Sequence, residues 1–397
     1  MNTAEIIQMG DACVMKTYGR LQMALVRGKG VKVWDAEGRE YLDFVSGLAV
    51  NSLGHCHPAV TRAIADQAET LMHVSNLYYI EPQVKLANML VQNSCGDRVF
   101  FCNSGAEANE AAIKLARKYA RVKGNTDKYE ILTALKSFHG RTLATVTATG
   151  QTRYQQGFDP LPQGFRYVPF NDMDALIEAV GPHTCAVMLE PIQGEGGVNE
   201  ADPGYLRQVR EFCSQKGLLL IFDEVQCGLG RTGKFLAHQH YGVEPDVFTL
   251  AKALGGGFPI GAMVAGEEVA GAFVPGDHAS TFGGNPLACA AGLAAVDQLI
   301  NHGVAENCAR VGDYFKGKLK GLAGRYPVIT DVRGQGLILG AELSADGGEI
   351  VNRCQGNGLL INCVNNNVLR FLPPLIITVD DVDQAVSIIE KVLGEVS

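Results

Sequence analysis

The sequence predicts an α/β fold: a large domain with a mostly parallel sheet sandwiched by helices, and a smaller α+β domain beside it. Three observations carry this expectation. The runs Arg98-Val99-Phe100-Phe101-Cys102, Cys185-Ala186-Val187-Met188-Leu189, Leu218-Leu219-Leu220-Ile221-Phe222 and Val247-Phe248-Thr249-Leu250-Ala251 are apolar almost without a break, as strands buried on both faces must be. Amphipathic helical stretches separate them, the alternation that builds a parallel sheet. Beyond about Pro286 this pattern gives way to two long helices, a glycine-punctuated strand pair and a closing helix.

The first element is a hairpin, with Val31-Lys32-Val33-Trp34 and Tyr41-Leu42-Asp43-Phe44 flanking the turn Ala36-Glu37-Gly38. Ser104-Gly105-Ala106-Glu107 reads as a capping box opening a helix whose apolar face is Ala108, Ala111, Ala112, Leu115, Ala116 and Tyr119. Asp202-Pro203 opens another, with Tyr205, Leu206, Val209 and Phe212 inward. The later strand pair lies around Asp331 to Leu343, and Thr378 caps the closing helix with support from Asp381. The chain accordingly divides into an N-terminal segment, 1–57, that joins the small domain, a large domain over 58–286 and a small domain over 287–397.

Composition narrows the function classes. A net charge of -8 without any basic stripe argues against non-specific nucleic-acid binding. No apolar stretch approaches the roughly 20 residues that cross a bilayer, and residues 1–15 lack the order of a signal peptide. The eleven cysteines form no CxxC pair, which suits reduced thiols in a cytoplasmic enzyme and offers no metal site.

Lys252 ends the apolar run 247–251 and is followed by Gly255-Gly256-Gly257. Desolvation there lowers an ammonium's pKa and makes an amine nucleophile, and the glycines let a ligand approach the backbone closely. This is the pattern of a Schiff-base lysine, although a lone lysine at a strand end more often reaches out to water. Leu218–222 delivers Asp223-Glu224 to its carboxyl end, where ligands of parallel sheets bind. Taken alone the pair reads equally well as a helix cap; beside Lys252, Asp223 is the carboxylate that keeps a pyridine nitrogen protonated, as pyridoxal phosphate requires. Ser104, Gly105 and Ala106 offer N–H groups to a phosphate at a helix N-terminus. Ser280-Thr281-Phe282-Gly283-Gly284-Asn285 is a second, weaker phosphate candidate. Arg141, after Phe138-His139-Gly140, and Arg370, inside an apolar run, call for anions; for either one a structural ion pair is the commoner case, and Glu195 is a possible partner.

Three patterns point elsewhere. Gly228-Leu229-Gly230-Arg231-Thr232-Gly233-Lys234-Phe235 nearly spells a P-loop and supports a nucleotide-binding alternative, but Phe235 stands where a hydroxyl must hold magnesium. His55-Cys56-His57-Pro58 has no further ligand cluster, and Gly334-Gln335-Gly336 breaks the dinucleotide spacing at Leu339.

Taken together, Phe101 to Glu110, Phe138-His139-Gly140-Arg141-Thr142, Glu190-Pro191-Ile192-Gln193-Gly194-Glu195-Gly196-Gly197, Asp223-Glu224-Val225-Gln226 and Ala251 to Gly257 occur in the order found in class III aminotransferases. From about Tyr18 onward the chain resembles that family, and most of all its acetylornithine branch, whose pattern also matches Ala49-Val50-Asn51 through Pro58. The resemblance implies the pyridoxal-phosphate transferase fold type I and a homodimer with shared active sites. It also implies an amine donor and 2-oxoglutarate as substrates, in arginine biosynthesis. It implies that Lys252 bonds to the cofactor, Asp223 pairs with the ring nitrogen, Phe138 and Val225 cover the ring faces and Gln226 approaches the 3-hydroxyl. Gly105 and Ala106 would hold the phosphate, with Thr281, next to Ser280, reaching over from the other subunit. Arg370 would grip the α-carboxylate of glutamate and Arg141 its distal carboxylate, with Glu195 neutralising Arg370 when the donor is an amine. Ornithine aminotransferases carry a tyrosine in the segment Phe44-Val45-Ser46-Gly47-Leu48-Ala49; Leu48 stands there in this chain, which favours an acylated donor. Succinylornithine, N-acetyl-lysine-type, ornithine and 4-aminobutyrate donors, and the related aminomutase chemistry, remain the alternatives within the class.

Overall fold

The fold is described here from a computed structural model covering residues 1–396. Strands β1 (Leu25–Lys29), β2 (Lys32–Asp35) and β3 (Glu40–Asp43) open the chain as an antiparallel ribbon. The expected hairpin is β2–β3, with Val33 opposite Tyr41. β1 has no counterpart in the sequence reading because its side chains are mostly exposed and carry no apolar rhythm.

The central sheet is built from β4 (Arg98–Cys102), β5 (Glu130–Ala134), β6 (Phe165–Val168), β7 (Thr184–Leu189) and, after the short hairpin β8 (Ile192–Gln193) and β9 (Asn199–Glu200), from β10 (Leu219–Asp223), β11 (Val247–Leu250) and β12 (Gly261–Ala265). Its order is β4-β12-β11-β10-β7-β5-β6. Only β12 runs against its neighbours, so β4 is parallel to the rest and the mostly parallel sheet is present. Side chains alternate across it with period two. Ala186, Met188, Ile221, Val247 and Met263 pack under the Ala111, Ala112, Leu115 and Ala116 face of the helix Gly105–Val122. Val187, Leu189, Leu220, Phe222, Phe248 and Val264 face the opposite layer, which includes Ala288, Ala291 and Ala295 of the helix Pro286–Asn301. Burying each such large apolar side chain stabilises the fold by about 2 kcal/mol.

The C-terminal part forms a second sheet from β13 (Ile329–Gln335) and β14 (Ile338–Leu343), in the order β13-β14-β17-β16, where β16 is Asn362–Val364 and β17 is Val368–Phe371. Between them β15 (Leu359–Leu360) pairs in parallel with β3, tying the first strands to the last third of the chain. Gly334 and Gln335 end β13 and Gly336-Leu337 is the tight turn joining it to β14, where Gly336 has φ 57 and any Cβ would strike the Thr232 backbone at 2.6 Å. Thr378 and Asp381 cap the last helix reciprocally.

Two local expectations are corrected. In the helix Pro203–Lys216 the inward stripe is Tyr205, Leu206, Val209 and Cys213, and Phe212 lies one position off it, half-buried at the edge of the core. Ser104 does cap its helix, accepting the Glu107 N–H at 3.2 Å, but the Glu107 carboxylate reaches past Ser104 to the backbone N–H of Asn103.

Candidate active site

Because β4, β5, β7, β10 and β11 are parallel, their carboxyl ends open on one side of the sheet. The loops that follow carry Ser104, Phe138, Glu190, Asp223 and Lys252 in turn, and these residues line one cavity of about 420 Å³. Gly105, Ala106, Arg141, Glu195, Val225 and Gln226 line it too. The loops converge by topology, although the residues are up to about 150 positions apart in the chain.

Asp223 is 3% exposed at the end of β10. Its Oδ2 accepts from Asn109 Nδ2 at 2.7 Å and faces His139 Nδ1 at 2.8 Å, while Oδ1 accepts the Val225 N–H at 3.0 Å. Asn109 is itself held by donating to the His139 carbonyl and accepting from Thr249. The carboxylate is therefore oriented from three sides. Its neighbour Glu224, the other half of the acidic pair, turns the opposite way and accepts the N–H groups of Ala237 and His238, the capping role that the pair equally suggested.

The helix Gly105–Val122 points its N-terminus at the cavity, with Ser104 as cap. A Cβ at Gly105 would lie 2.7 Å from Val225 Cγ1, so only glycine leaves the backbone bare there.

Lys252 opens the short turn after β11 with φ 46, a left-handed conformation that costs a lysine of order 1 kcal/mol. It touches the cavity while protein surrounds it elsewhere, and burial holds its pKa below the usual lysine range; Glu195 and Asp223 oppose that shift and Arg370 adds to it. Arg370, 1% exposed on β17, donates to Glu195 Oε1 at 2.7 Å, the Gly194 carbonyl at 3.0 Å and Gln226 Oε1 at 3.3 Å. Burial works against the charge on Glu195, but Arg370 and Lys252 prevail and lower its pKa. The Gln226 amide also donates to Glu195, at 3.3 Å, so its side chain is engaged with this ion pair.

Arg141 is exposed and makes no ion pair among the described residues; its guanidinium lies over the Tyr154 ring at 4.2 Å and the Phe138 ring at 5.5 Å. It is a cation at the cavity wall held by aromatic faces.

Not every candidate converges. Ser280 and Thr281 line a different cavity, with Asn76, Gln83 and Phe101. Ser280 touches the first site only through Asn103, whose Nδ2 donates to its Oγ at 3.3 Å. Leu48 is 42% exposed and lies outside the lining, because Gly47 and Leu48 both take left-handed φ and turn the segment outward; Val50 lines the cavity instead.

Three residues went unassigned in the sequence. Asn109 and His139 position Asp223, and Glu190, 5% exposed, accepts the Phe138 N–H at 2.9 Å. Burial, and then the negative charge of Asp223, raise the Glu190 pKa well above the carboxylate range. Glu190 had a readable signal, since it follows a buried strand as Asp223 does.

The nucleotide-binding alternative is overturned. Arg231 is 1% exposed and bonds to the carbonyls of Leu337 and Pro373, while Lys234 Nζ is engaged with the Gln239 carbonyl at 3.0 Å. The glycine-rich segment packs on the C-terminal part of the chain, and both of its cations are engaged with backbone carbonyls. His55 pairs with Asp43 at 2.7 Å, and no group of metal-binding side chains occurs among the described residues.

The family model for aminotransferase class-III matches residues 14–393. The chain belongs to the class III aminotransferases. An acetylornithine aminotransferase of Caldanaerobacter subterraneus is 56% identical over 96% of this chain and 98% of its own length. That of Methanothermobacter thermautotrophicus is 50% identical over the whole of both. Among solved structures, the ornithine aminotransferase of Toxoplasma gondii superposes with TM-score 0.96 at 36% identity, covering 100% of this chain and 96% of that one. The acetylornithine aminotransferase of Elizabethkingia anophelis gives 0.90 at 34%, covering 100% of both.

Class III aminotransferases depend on pyridoxal phosphate, and the residues of this aminotransferase fit that group. A buried carboxylate braced by Asn109 and His139 suits a protonated ring nitrogen. A helix N-terminus kept bare at Gly105 suits a phosphate, and a desolvated lysine suits the carbonyl.

Proposed function

We propose that this aminotransferase moves the ω-amino group of N2-acetylornithine to 2-oxoglutarate, giving N-acetylglutamate 5-semialdehyde and glutamate. The observation that carries this reading is the ion pair of buried Arg370 with Glu195 at 2.7 Å, Glu195 lining the same cavity as Lys252 and as Arg141, which makes no ion pair among the described residues. Two cations, one already neutralised, suit two substrates that differ by a carboxylate. The near-identical length and 56% identity of the acetylornithine relative support the donor.

In this reading Ser104, Gly105 and Ala106 hold the cofactor phosphate, Asp223 holds the ring nitrogen, Phe138 and Val225 flank the ring, and Gln226 stands by the 3-hydroxyl. The cofactor, when bound, supplies the electron sink for the carbanion at the reacting carbon. Lys252 Nζ, whose pKa burial lowers, is the base that would take the proton from that carbon and carry it past the reacting nitrogen. Asn109 and His139 hold the Asp223 carboxyl group in place for the ring nitrogen. With the amine donor, Arg141 binds the α-carboxylate and Glu195 masks Arg370. With 2-oxoglutarate, Glu195 swings off, Arg370 takes the α-carboxylate and Arg141 the distal one.

Thr281 and Ser280 belong to the same reading as residues contributed across a homodimer, because within one chain they line a separate cavity. The division of the chain at 57 and 286, with the first segment joined to the last domain, is supported by the pairing of β3 with β15. No helix among the described residues is long and apolar enough to cross a membrane, and a cytoplasmic biosynthetic role fits.

The test is a visible-spectrum titration of the purified protein with N-acetylornithine, ornithine, succinylornithine and 4-aminobutyrate. Loss of the cofactor band with N-acetylornithine at the lowest concentration, restored by 2-oxoglutarate, is expected. A stronger response to another donor reassigns the substrate, and a protein that stays colourless with added pyridoxal phosphate overturns the reading.

A further inference from the structure

A second cluster of reactive groups lies away from the Lys252 cavity. Cys95, in the loop before β4, has its Sγ 3.8 Å from Nε2 of His238 and 3.9 Å from the Pro245 carbonyl. On the other side of the ring, His238 Nδ1 lies 2.7 Å from Glu224 Oε1, which also accepts the His238 backbone N–H at 2.8 Å. A carboxylate oxygen that accepts the backbone N–H is an acceptor toward Nδ1 as well, which places a ring proton there and leaves Nε2 aimed at the sulfur. The ring is 3% exposed and has the Phe222 and Phe248 rings as neighbours, with centroids at 6.2 and 5.8 Å.

Sulfur, imidazole and carboxylate thus stand in the order of an activated nucleophile, its base and an orienting acid. Burial opposes charge on His238, yet Cys95 and Glu224 beside it hold its pKa up to about 10. Cys95 differs in exposure from the buried cysteines 102, 185, 213, 289, 308 and 354. It is half-buried and lines a polar cavity of about 810 Å³ with His238, Asn93, Arg210, Ser214 and Asp246. That cavity shares no lining residue with the Lys252 site.

We propose that Cys95 is a site of thiol–disulfide exchange, with His238 as its base and Glu224 positioning the ring, that accepts a small polar disulfide from this second cavity. The thiol proton passes to His238 Nε2. The Cys95 sulfur bonds to one sulfur of the disulfide, the original sulfur–sulfur bond breaks, and the departing thiolate takes the proton. One disulfide is consumed and one formed, so no further oxidant is needed.

An ordinary thiol is only a few per cent ionised at pH 7. Full ionisation raises the thiolate fraction on the order of 30-fold, and the lower nucleophilicity of an acidic thiolate gives back part of that gain, leaving about tenfold. The holoenzyme is treated with bis(hydroxyethyl) disulfide, a neutral probe, and adducts are followed by peptide mass spectrometry. Cys95 is expected to react about tenfold faster in the folded protein than in the same chain unfolded in guanidinium, and faster than exposed Cys13. A folded-state rate at or below the unfolded one overturns the proposal without any variant. His238→Asn, shown to be folded by its transamination activity, is expected to lose the acceleration; retention of the fast rate overturns the role given to His238.

Discussion

Glu195 Oε1 meets Nη1 of Arg370 at 2.7 Å, joining residues 175 positions apart at the wall of the cavity that holds Lys252. Arg370 is 1% exposed, so whichever substrate occupies the site, its charge needs an anion.

Glu195→Gln removes that anion only where the substrate supplies none. Breaking one side of a buried pair costs about 3 kcal/mol, on the order of 100-fold in rate. Single-turnover kinetics should show the half-reaction with N-acetylornithine slowed by about that factor, with the glutamate half-reaction changed less than about fivefold. Equal losses in both would reduce Glu195 to a structural residue.

Glu190→Gln tests the protonation of a carboxyl whose folded pKa is raised by burial and by Asp223. The unfolded chain ionises near the ordinary glutamate value of about 4.3, while burial and Asp223 delay ionisation in the folded chain to higher pH, so stability is full below that value and falls as pH rises. The variant lacks this loss. In cofactor-free protein its Tm relative to the parent should rise from pH 4.5 to 8; a gap that is flat or shrinks would mean that Glu190 is ionised.

Gly105→Ala places a Cβ 2.7 Å from Val225 Cγ1. Overpacking of this kind costs about 1–3 kcal/mol. The measurable results are weaker pyridoxal phosphate binding and a lower Tm, with Val225→Ala in the same chain recovering most of both. If the double variant binds the cofactor no better than Gly105→Ala alone, the steric account fails.

The fold was legible where chemistry is local. An unbroken apolar strand announces burial on both faces, and a serine three residues before an acid announces a helix start. β1 was not legible because an exposed strand at the sheet margin needs no apolar side chains. Phe212 was placed inward because one stripe on a helix can be drawn through either of two neighbours, and only packing makes Cys213 the buried one.

The site divides in the same way. Lys252, Asp223 and Ser104 could be named from the sequence because each ends an apolar strand with a residue that strands avoid, and the carboxyl ends of parallel strands share one edge. Taken alone the Asp223-Glu224 pair leaves both roles open, and it is the presence of Lys252 that singles out Asp223; successive side chains at the strand end point to opposite sides, so Glu224 turns to Ala237 and His238. Asn109 and His139 are ordinary polar residues until the fold brings both within 2.8 Å of Asp223. The sequence by itself thus determined the four apolar strands at 98–102, 185–189, 218–222 and 247–251 and the chemical character of their ends, because both follow from near neighbours in the chain. Tertiary structure alone decided the Arg370–Glu195 pair, the raised pKa of Glu190 and the Cys95–His238 contact, because a buried charge takes its energy from groups within a few ångströms, and those groups come from distant segments.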